Sequence, residues 1–364
     1  VGGVRPPRTP FFRAFSLLAE QLRAGIIGVS MIFVDNEKIY DPRINLAIEE
    51  YLLRSRLIED DILLFYINEP SIIIGRYQNA LEEINRAFVE AHGIHVVRRL
   101  SGGGAVYHDL GNLCFSLITR AGKEDSLNFK KFTAPITRAL QEMGIPAELS
   151  GRNDILVDGR KISGNAIYST KQGIVCHGTL LLNTDLSVLS ESLNVKPGKI
   201  ESKGIKSVRS RVANISEFLD EPMETEIFRL RLLRGIFAGY FDPTIDEIPQ
   251  YRLNTTDWEA IKTLANERYM TWDWNYGKSP AFNVQKTQRF AFGEIDARIE
   301  VKGGVIQSIK FYGDFIGHED VSILERLLSG VRYDHESLEA ALHDVEIASY
   351  FSGLSIAEFV GFLY

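Results

Sequence analysis

Two cysteines, Cys114 and Cys176, are all that 364 residues contain, and no CxxC pair is present. That excludes a disulfide framework and a thiolate zinc site. It leaves two buried thiols in a reducing, cytoplasmic compartment as the expectation, since both lie in apolar, strand-like runs. There is no HExxH and no carboxylate cluster, so no metal held by protein ligands alone is expected. No apolar run reaches the roughly 18 residues that span a bilayer. Internal repeats and low-complexity segments are missing too. The net charge is −7, which argues against broad nucleic-acid binding. Two nucleotide-binding fingerprints also fail. Gly277-Lys278-Ser279 resembles the end of a Walker A loop, but Trp272 stands where its first glycine is required. The glycine run after Ser101 is not a dinucleotide fingerprint, because Tyr107 occupies the place of the third glycine.

What is present is ordinary for a globular protein: 45% apolar and 24% charged residues. The length suits one large domain and a smaller one. Residues 1–30 differ from the rest, with Arg5, Arg8, Arg13 and Arg23 against the single acid Glu20. That composition fits a transit segment. It equally fits a disordered extension upstream of a start at Met31, which is the expectation adopted because a strand begins there at once.

Asp41-Pro42 is a helix start, with an N-cap and proline at the first helical position. Ile44, Ala47, Ile48, Tyr51 and Leu52 then share one face. Strands are expected at 62–67 and 71–74, and a single helix over 80–92. The stretch 96–119, VVRRLSGGGAVYHDLGNLCFSLIT, follows. Three adjacent glycines, Gly102, Gly103 and Gly104, are entropically unfavourable unless a side chain would be in the way. Beside Arg98 and Arg99 their N–H groups make an anion cradle, or else a structural turn. Adjacent strand residues point to opposite faces, so at most one of the two arginines faces the cradle. The same holds for His108 and Asp109, an acid–base pair or a structural histidine. A helix is expected at 128–143. Asp158-Gly159 signals a hairpin, which places Lys161 just past the turn near Ser163, Gly164 and Asn165. There it could neutralise a carboxylate and a phosphate brought together, or simply be solvated. A strand over 174–183, a short helix near 185–193, a basic loop at 203–215 and a helix at 223–240 complete the large domain. Beyond Pro243 and Pro249 come an aromatic cluster at 272–276, strands at 289–301 and 305–312, and helical stretches at 319–330 and 335–361.

Taken together, these segments resemble the lipoate–protein ligases of the bacterial single-chain type. The resemblance rests on RRLSGGGAVYHDLGN (98–112), IIIGRYQN (72–79), GRNDILVDGRKISGNA (151–166), HGTLLLN (177–183) and KGIKSVRSRVANI (203–215), with DPRINLAIEEYLL (41–53) and TWDWNYGKSPAFNV (271–284). It runs from about Met31 to the C-terminus and does not include residues 1–30. It implies an α+β fold shared with biotin–protein ligases: a mixed β-sheet flanked by helices over 31–245, and a small α/β accessory domain over 255–364. It implies two half-reactions. Lipoate (or octanoate) and MgATP give an acyl-adenylate and pyrophosphate; the acyl group then passes to a lysine of an apo lipoyl domain, releasing AMP. Carriers of that kind are the glycine cleavage H protein and the 2-oxoacid dehydrogenase acyltransferase subunits.

Carried over by position, Arg98, Gly103, Gly104, Ala105 and Val106 contact the nucleotide. Lys161 bridges the lipoate carboxylate and the α-phosphate. Arg76, Gly102 and His108 line the lipoate side, and Asn153 and Asp154 stand near Mg²⁺ and the adenylate. Lys203, Ser207 and Arg209 belong to a loop that closes over the adenylate. A monomer without nucleic-acid or membrane partners is expected. A related reaction is acyl transfer from a pre-activated donor. Enzymes that do this through a thioester place a cysteine about a dozen residues before the lysine, and none lies between Cys114 and Cys176. Transferases that take a ready-made adenylate lack that objection. A non-catalytic carrier binder would be expected to lose Lys161 or the glycine run. A DNA-binding regulator would need an added helix-turn-helix domain.

Overall fold

A computed structural model of the chain describes residues 31–55, 60–120, 128–151, 153–193, 211–238, 244–276 and 284–364. The strands are β1 (Met31–Asp35), β2 (Asp61–Ile67), β3 (Ser71–Ile74), β4 (His95–Arg98), β5 (Val106–His108), β6 (Asn112–Thr119), β7 (Glu148–Ser150), β8 (Asp154–Val157), β9 (Arg160–Ser169), β10 (Ile174–Leu181), β11 (Gln250–Tyr251), β12 (Val284–Phe290), β13 (Gly293–Lys302) and β14 (Val305–Gly313).

The large sheet has the order β11-β1-β2-β6-β10-β9-β8-β7. β1 is parallel to β11 and β2, and from β2 onward the neighbours are antiparallel. The period of two runs through its centre. In β2, Leu63, Phe65 and Ile67 enter one core while Ile62, Leu64 and Tyr66 enter the other. Both faces are therefore covered. Helices Phe129–Glu142 and Thr225–Ala238 cover the first. Helix Pro42–Arg54 covers the second, together with a small sheet of order β4-β3-β5 whose Ile73 and Val97 pack there.

Asp41 caps the first helix as expected, its carboxylate accepting from Arg43 N at 2.8 Å, with Pro42 in the first turn. The expected single apolar face is an underestimate: Asn45, Glu49 and Glu50 are buried too. The reason is a second covering layer. Helix Thr255–Leu264 and the turns after it pack on the outer side, where Tyr51 donates to Asp257 at 2.6 Å and Tyr269 to Glu50 at 2.8 Å. Residues 250–276 therefore pack onto the large unit, through β11 beside β1 and through Leu253, Ile261, Ala265 and Tyr269 in the second core. Residues 1–30 lie outside the described residues.

Three element boundaries differ from expectation. The helix over 80–92 is two pieces, Ala80–Glu83 and Arg86–Ala91, because Ile84 bridges to Leu193 and Asn85 starts a new helix by accepting from Phe88 N. The strand at 289–301 is the hairpin β12–β13, turning at 291–292. The helix at 335–361 is three: His335–Leu342, Ile347–Tyr350 and Ile356–Leu363, the last restarted by a Ser355/Glu358 capping box. β12–β14 and these helices enclose their own core, with Phe311, Phe351 and Phe359 in mutual ring contact.

Candidate active site

A cavity of about 130 Å³ opens between the small sheet and the large one. Its apolar lining includes Leu46, Tyr66, Ile73 and Val106, beside the buried polar side chains Arg99, His108 and His177. One wall is the loop Gly103–Ala105, and the other carries Asn153, Lys161 and Gly164. The hairpin that delivers Lys161 forms as its sequence demands, with Asp158 and Gly159 both at positive φ (+50° and +72°). Lys161 Nζ pairs with Asp154 at 2.8 Å, both side chains about a third exposed. Asn153 is pinned by reciprocal contacts: its Nδ2 donates to Asn165 O at 2.5 Å, and Asn165 Nδ2 donates to Asn153 O at 2.9 Å.

The glycine loop is held by Arg99. This guanidinium, 6% exposed, donates to Ile73 O (3.0 Å), Gly102 O (2.7 Å) and Gly104 O (2.8 Å), and its Nε donates to Ser101 Oγ (3.0 Å). Burial pulls its pKa down to about 10, so it stays charged near neutrality. The three glycines have three different reasons. Gly103 sits at φ +92° with the Arg99 guanidinium 2.9 Å from where a Cβ would be. A Cβ at Gly102 would strike Phe315 O of the accessory domain at 2.2 Å, and Gly104 faces open space.

Arg98 does not line the cavity; its neighbour Arg99 does. Arg98 donates to five backbone carbonyls instead: Gly75, Arg76, Gln78, Trp274 and Asn275, at 2.6–3.0 Å. Arg76 also lies elsewhere. Its guanidinium stacks over Trp274 at 4.4 Å and pairs with Asp320 of the accessory domain at 3.2 Å. Gly102 belongs to the domain contact rather than to the cavity lining. His108 does line the cavity. Burial, then the Arg99 charge, pushes its pKa down to about 3, and Asn68 Nδ2 donates to its Nδ1 at 2.9 Å. Asp109 points away and accepts from Gly111 N and Asp185 N. Lys203, Ser207 and Arg209 lie outside the described residues. The end of their segment is anchored at the site, where Ala213 N donates to Lys161 O at 2.9 Å.

Sequence reasoning missed Arg99, Glu49 and His177. His177 Nδ1 stands 2.9 Å from both Glu49 oxygens, and Nε2 stands 2.6 Å from Ser101 Oγ. A glutamate amid the apolar positions of the first helix was the available signal. Both thiols are buried, outside the cavity lining, and pushed well above their ordinary pKa by burial. Among the described residues no group of three His, Cys, Asp or Glu side chains could hold a metal. No described helix is long and apolar enough to cross a membrane.

Residues 41–237 match the lipoyl protein ligase A/B catalytic domain, and residues 279–363 match the bacterial lipoate protein ligase C-terminus. Lipoate-protein ligase LplJ of Bacillus subtilis (strain 168) is 53% identical over 334 residues, which cover 92% of this chain and all of that one. The crystal structure of P. falciparum LipL1 in complex with lipoate superposes with a TM-score of 0.72 at 26% identity, covering 87% of this chain and 95% of that one. That of lipoate-protein ligase A bound with ATP gives 0.57 at 29% identity, covering 68% and 98%. The chain belongs to the lipoate–protein ligases and is an enzyme of that class.

Proposed function

We propose that this chain activates free lipoate with ATP and transfers the lipoyl group to a lysine of apo lipoyl domains. The carrying observation is Lys161, paired with Asp154 at the mouth of an apolar cavity whose opposite wall is the glycine loop. The apolar part of the lining, Leu46, Ile73 and Val106, suits the acyl chain, with the carboxylate beside Lys161. There the ammonium neutralises both the carboxylate and the α-phosphate that it attacks. The carboxylate oxygen bonds to phosphorus, the bond to the bridging oxygen breaks, and pyrophosphate leaves. In the second half-reaction the carrier amine attacks the acyl carbon and AMP leaves with the bonding electrons. The N–H groups of Gly103–Val106 and the Arg99 charge face the phosphates. Asp154, now paired with Lys161, would be the carboxylate to hold a Mg²⁺ brought in with ATP, which would supply neutralising charge at the phosphates. The bound lipoate and ATP of the two related structures support the substrate pair. Natural carriers are the glycine cleavage H protein and the 2-oxoacid dehydrogenase acyltransferase subunits, in the cytoplasm, where two free buried thiols stay reduced.

The test is lipoate-dependent exchange of pyrophosphate into ATP. Wild type should catalyse it and Lys161→Ala should not, while remaining folded. Undiminished exchange in the variant would overturn the role given to Lys161. Octanoyl or lipoyl transfer through a protein thioester is disfavoured because both thiols are buried, absent from the cavity lining and raised in pKa by burial.

A further inference from the structure

We propose that Glu49, His177 and Ser101 form a buried positioning relay that fixes Arg99, and through it the glycine loop, against the cavity. Glu49 comes from the first helix, His177 from β10, and Ser101 and Arg99 from the segment after β4. Their exposures are 1%, 6%, 0% and 6%. Among the described residues no carboxylate pairs directly with Arg99, whose partners are Ser101 Oγ and three backbone carbonyls. Its compensating charge is Glu49, reached through two neutral groups.

Counting donors and acceptors fixes the protons along this chain. Arg99 Nε can only donate, so Ser101 Oγ accepts from it. Ser101 must then place its own hydrogen, and the near acceptor is His177 Nε2, 2.6 Å away. That nitrogen is therefore unprotonated, and Nδ1–H donates to the Glu49 carboxylate at 2.9 Å. The Ser116 hydroxyl donates to the same carboxylate. A doubly protonated imidazole would leave the Ser101 hydrogen with no partner in a buried site, which is costly. The chain is thus polarised in one direction, each bond strengthening the next.

Its output is loop geometry. Arg99 donates to Gly102 O and Gly104 O, so turning its Nε away from Ser101 turns the whole planar guanidinium and releases the loop. Glu49 and Ser101 do not themselves line the cavity. They act on substrate only through Arg99 and His177, which makes them separable from direct binding groups. The consequence for nucleotide binding rests on the proposed function of the loop.

Glu49→Gln and Ser101→Ala in the full chain test this. We expect each to raise the KM for ATP in pyrophosphate exchange by about tenfold, the size of one charge-assisted hydrogen bond. The KM for lipoate should stay within about twofold. Equal changes in both constants, or none, would overturn the relay. ¹⁵N imidazole spectra of wild type supply an independent readout: His177 should carry its proton on Nδ1, and a proton on Nε2 would also overturn it. Wild type without any lipoate-dependent exchange would defeat the functional reading alone, and the tautomer would still decide the relay.

Discussion

A Cβ at Gly164 would stand 2.8 Å from Lys161 Nζ and 2.9 Å from its Cε. The lysine lies back over the one residue of its strand that has no side chain. The pairing of β9 with β8 slips here: Ile155 faces Ser163 but Leu156 faces Lys161, leaving Ile162 as an extra residue. A bulge of this kind re-aims the side chains beside it. Gly164→Ala should therefore displace the ammonium without unfolding the strand, because what it meets is the end of a flexible side chain. Exchange activity should fall about 10- to 100-fold, with the melting temperature nearly unchanged. Equal losses in stability and activity would show that the space serves packing instead.

The glycine loop offers a contrast between two substitutions. Gly103→Val meets both a positive φ and the Arg99 guanidinium, so nucleotide affinity measured by calorimetry should drop at least tenfold (about 1.4 kcal/mol). Gly75→Ala meets the backbone oxygen of Gly103 at 1.9 Å, which cannot swing aside. It should lower stability in urea unfolding by about 1–3 kcal/mol as well as affinity. Unchanged affinity in Gly103→Val would mean that the loop is a turn and nothing more.

Arg98→Lys separates the two adjacent arginines. An ammonium cannot reach five carbonyls laid out around a planar fork. Leaving buried carbonyls unpartnered costs about 1–3 kcal/mol each, so urea unfolding should show a loss of at least about 2 kcal/mol. The Arg98 guanidinium ties the 75–78 turn to Trp274 and Asn275. A variant as stable as wild type would contradict that tie.

His108 sets an acid limit on stability. Its pKa is near 6.5 unfolded and about 3 folded. Between those values the unfolded chain binds a proton that the folded chain does not, so stability is lost as pH falls from 6.5 toward 3. The slope is at most about 1.4 kcal/mol per pH unit. Asp109, raised by burial, contributes with the opposite sign. Subtracting the urea-unfolding profile of His108→Gln from that of wild type removes it. A flat difference across this window would contradict a buried, neutral His108.

Local rules made much of the fold legible. Asp41-Pro42 and Asp158-Gly159 each produce the element they signal. The breaks at Ile84–Asn85 and at 291–292 were not visible, because each depends on a distant partner or on a turn without a strong signature. The choice between Arg98 and Arg99 turned on where β4 ends and which way the chain leaves it: Arg98 closes the strand against Trp274 and Asn275, and Arg99 beyond it turns to the glycine loop, a tertiary fact that spacing alone does not contain. Glu49 was hidden for the same reason. A carboxylate in an apolar helix stays buried here because His177, 128 positions away in sequence, arrives to pair with it. The hairpin singled out Lys161, the motif resemblance gave it a role, and the residues around it explain why it can sit where it does.

The most direct measurement is the mass of an apo lipoyl domain incubated with this enzyme, free lipoate and Mg²⁺, with and without ATP. The expected result is a mass increase of one lipoyl group only when ATP is present, and none with Lys161→Ala. A mass increase without ATP, or undiminished lipoylation by the variant, would contradict an ATP-driven adenylate route through Lys161.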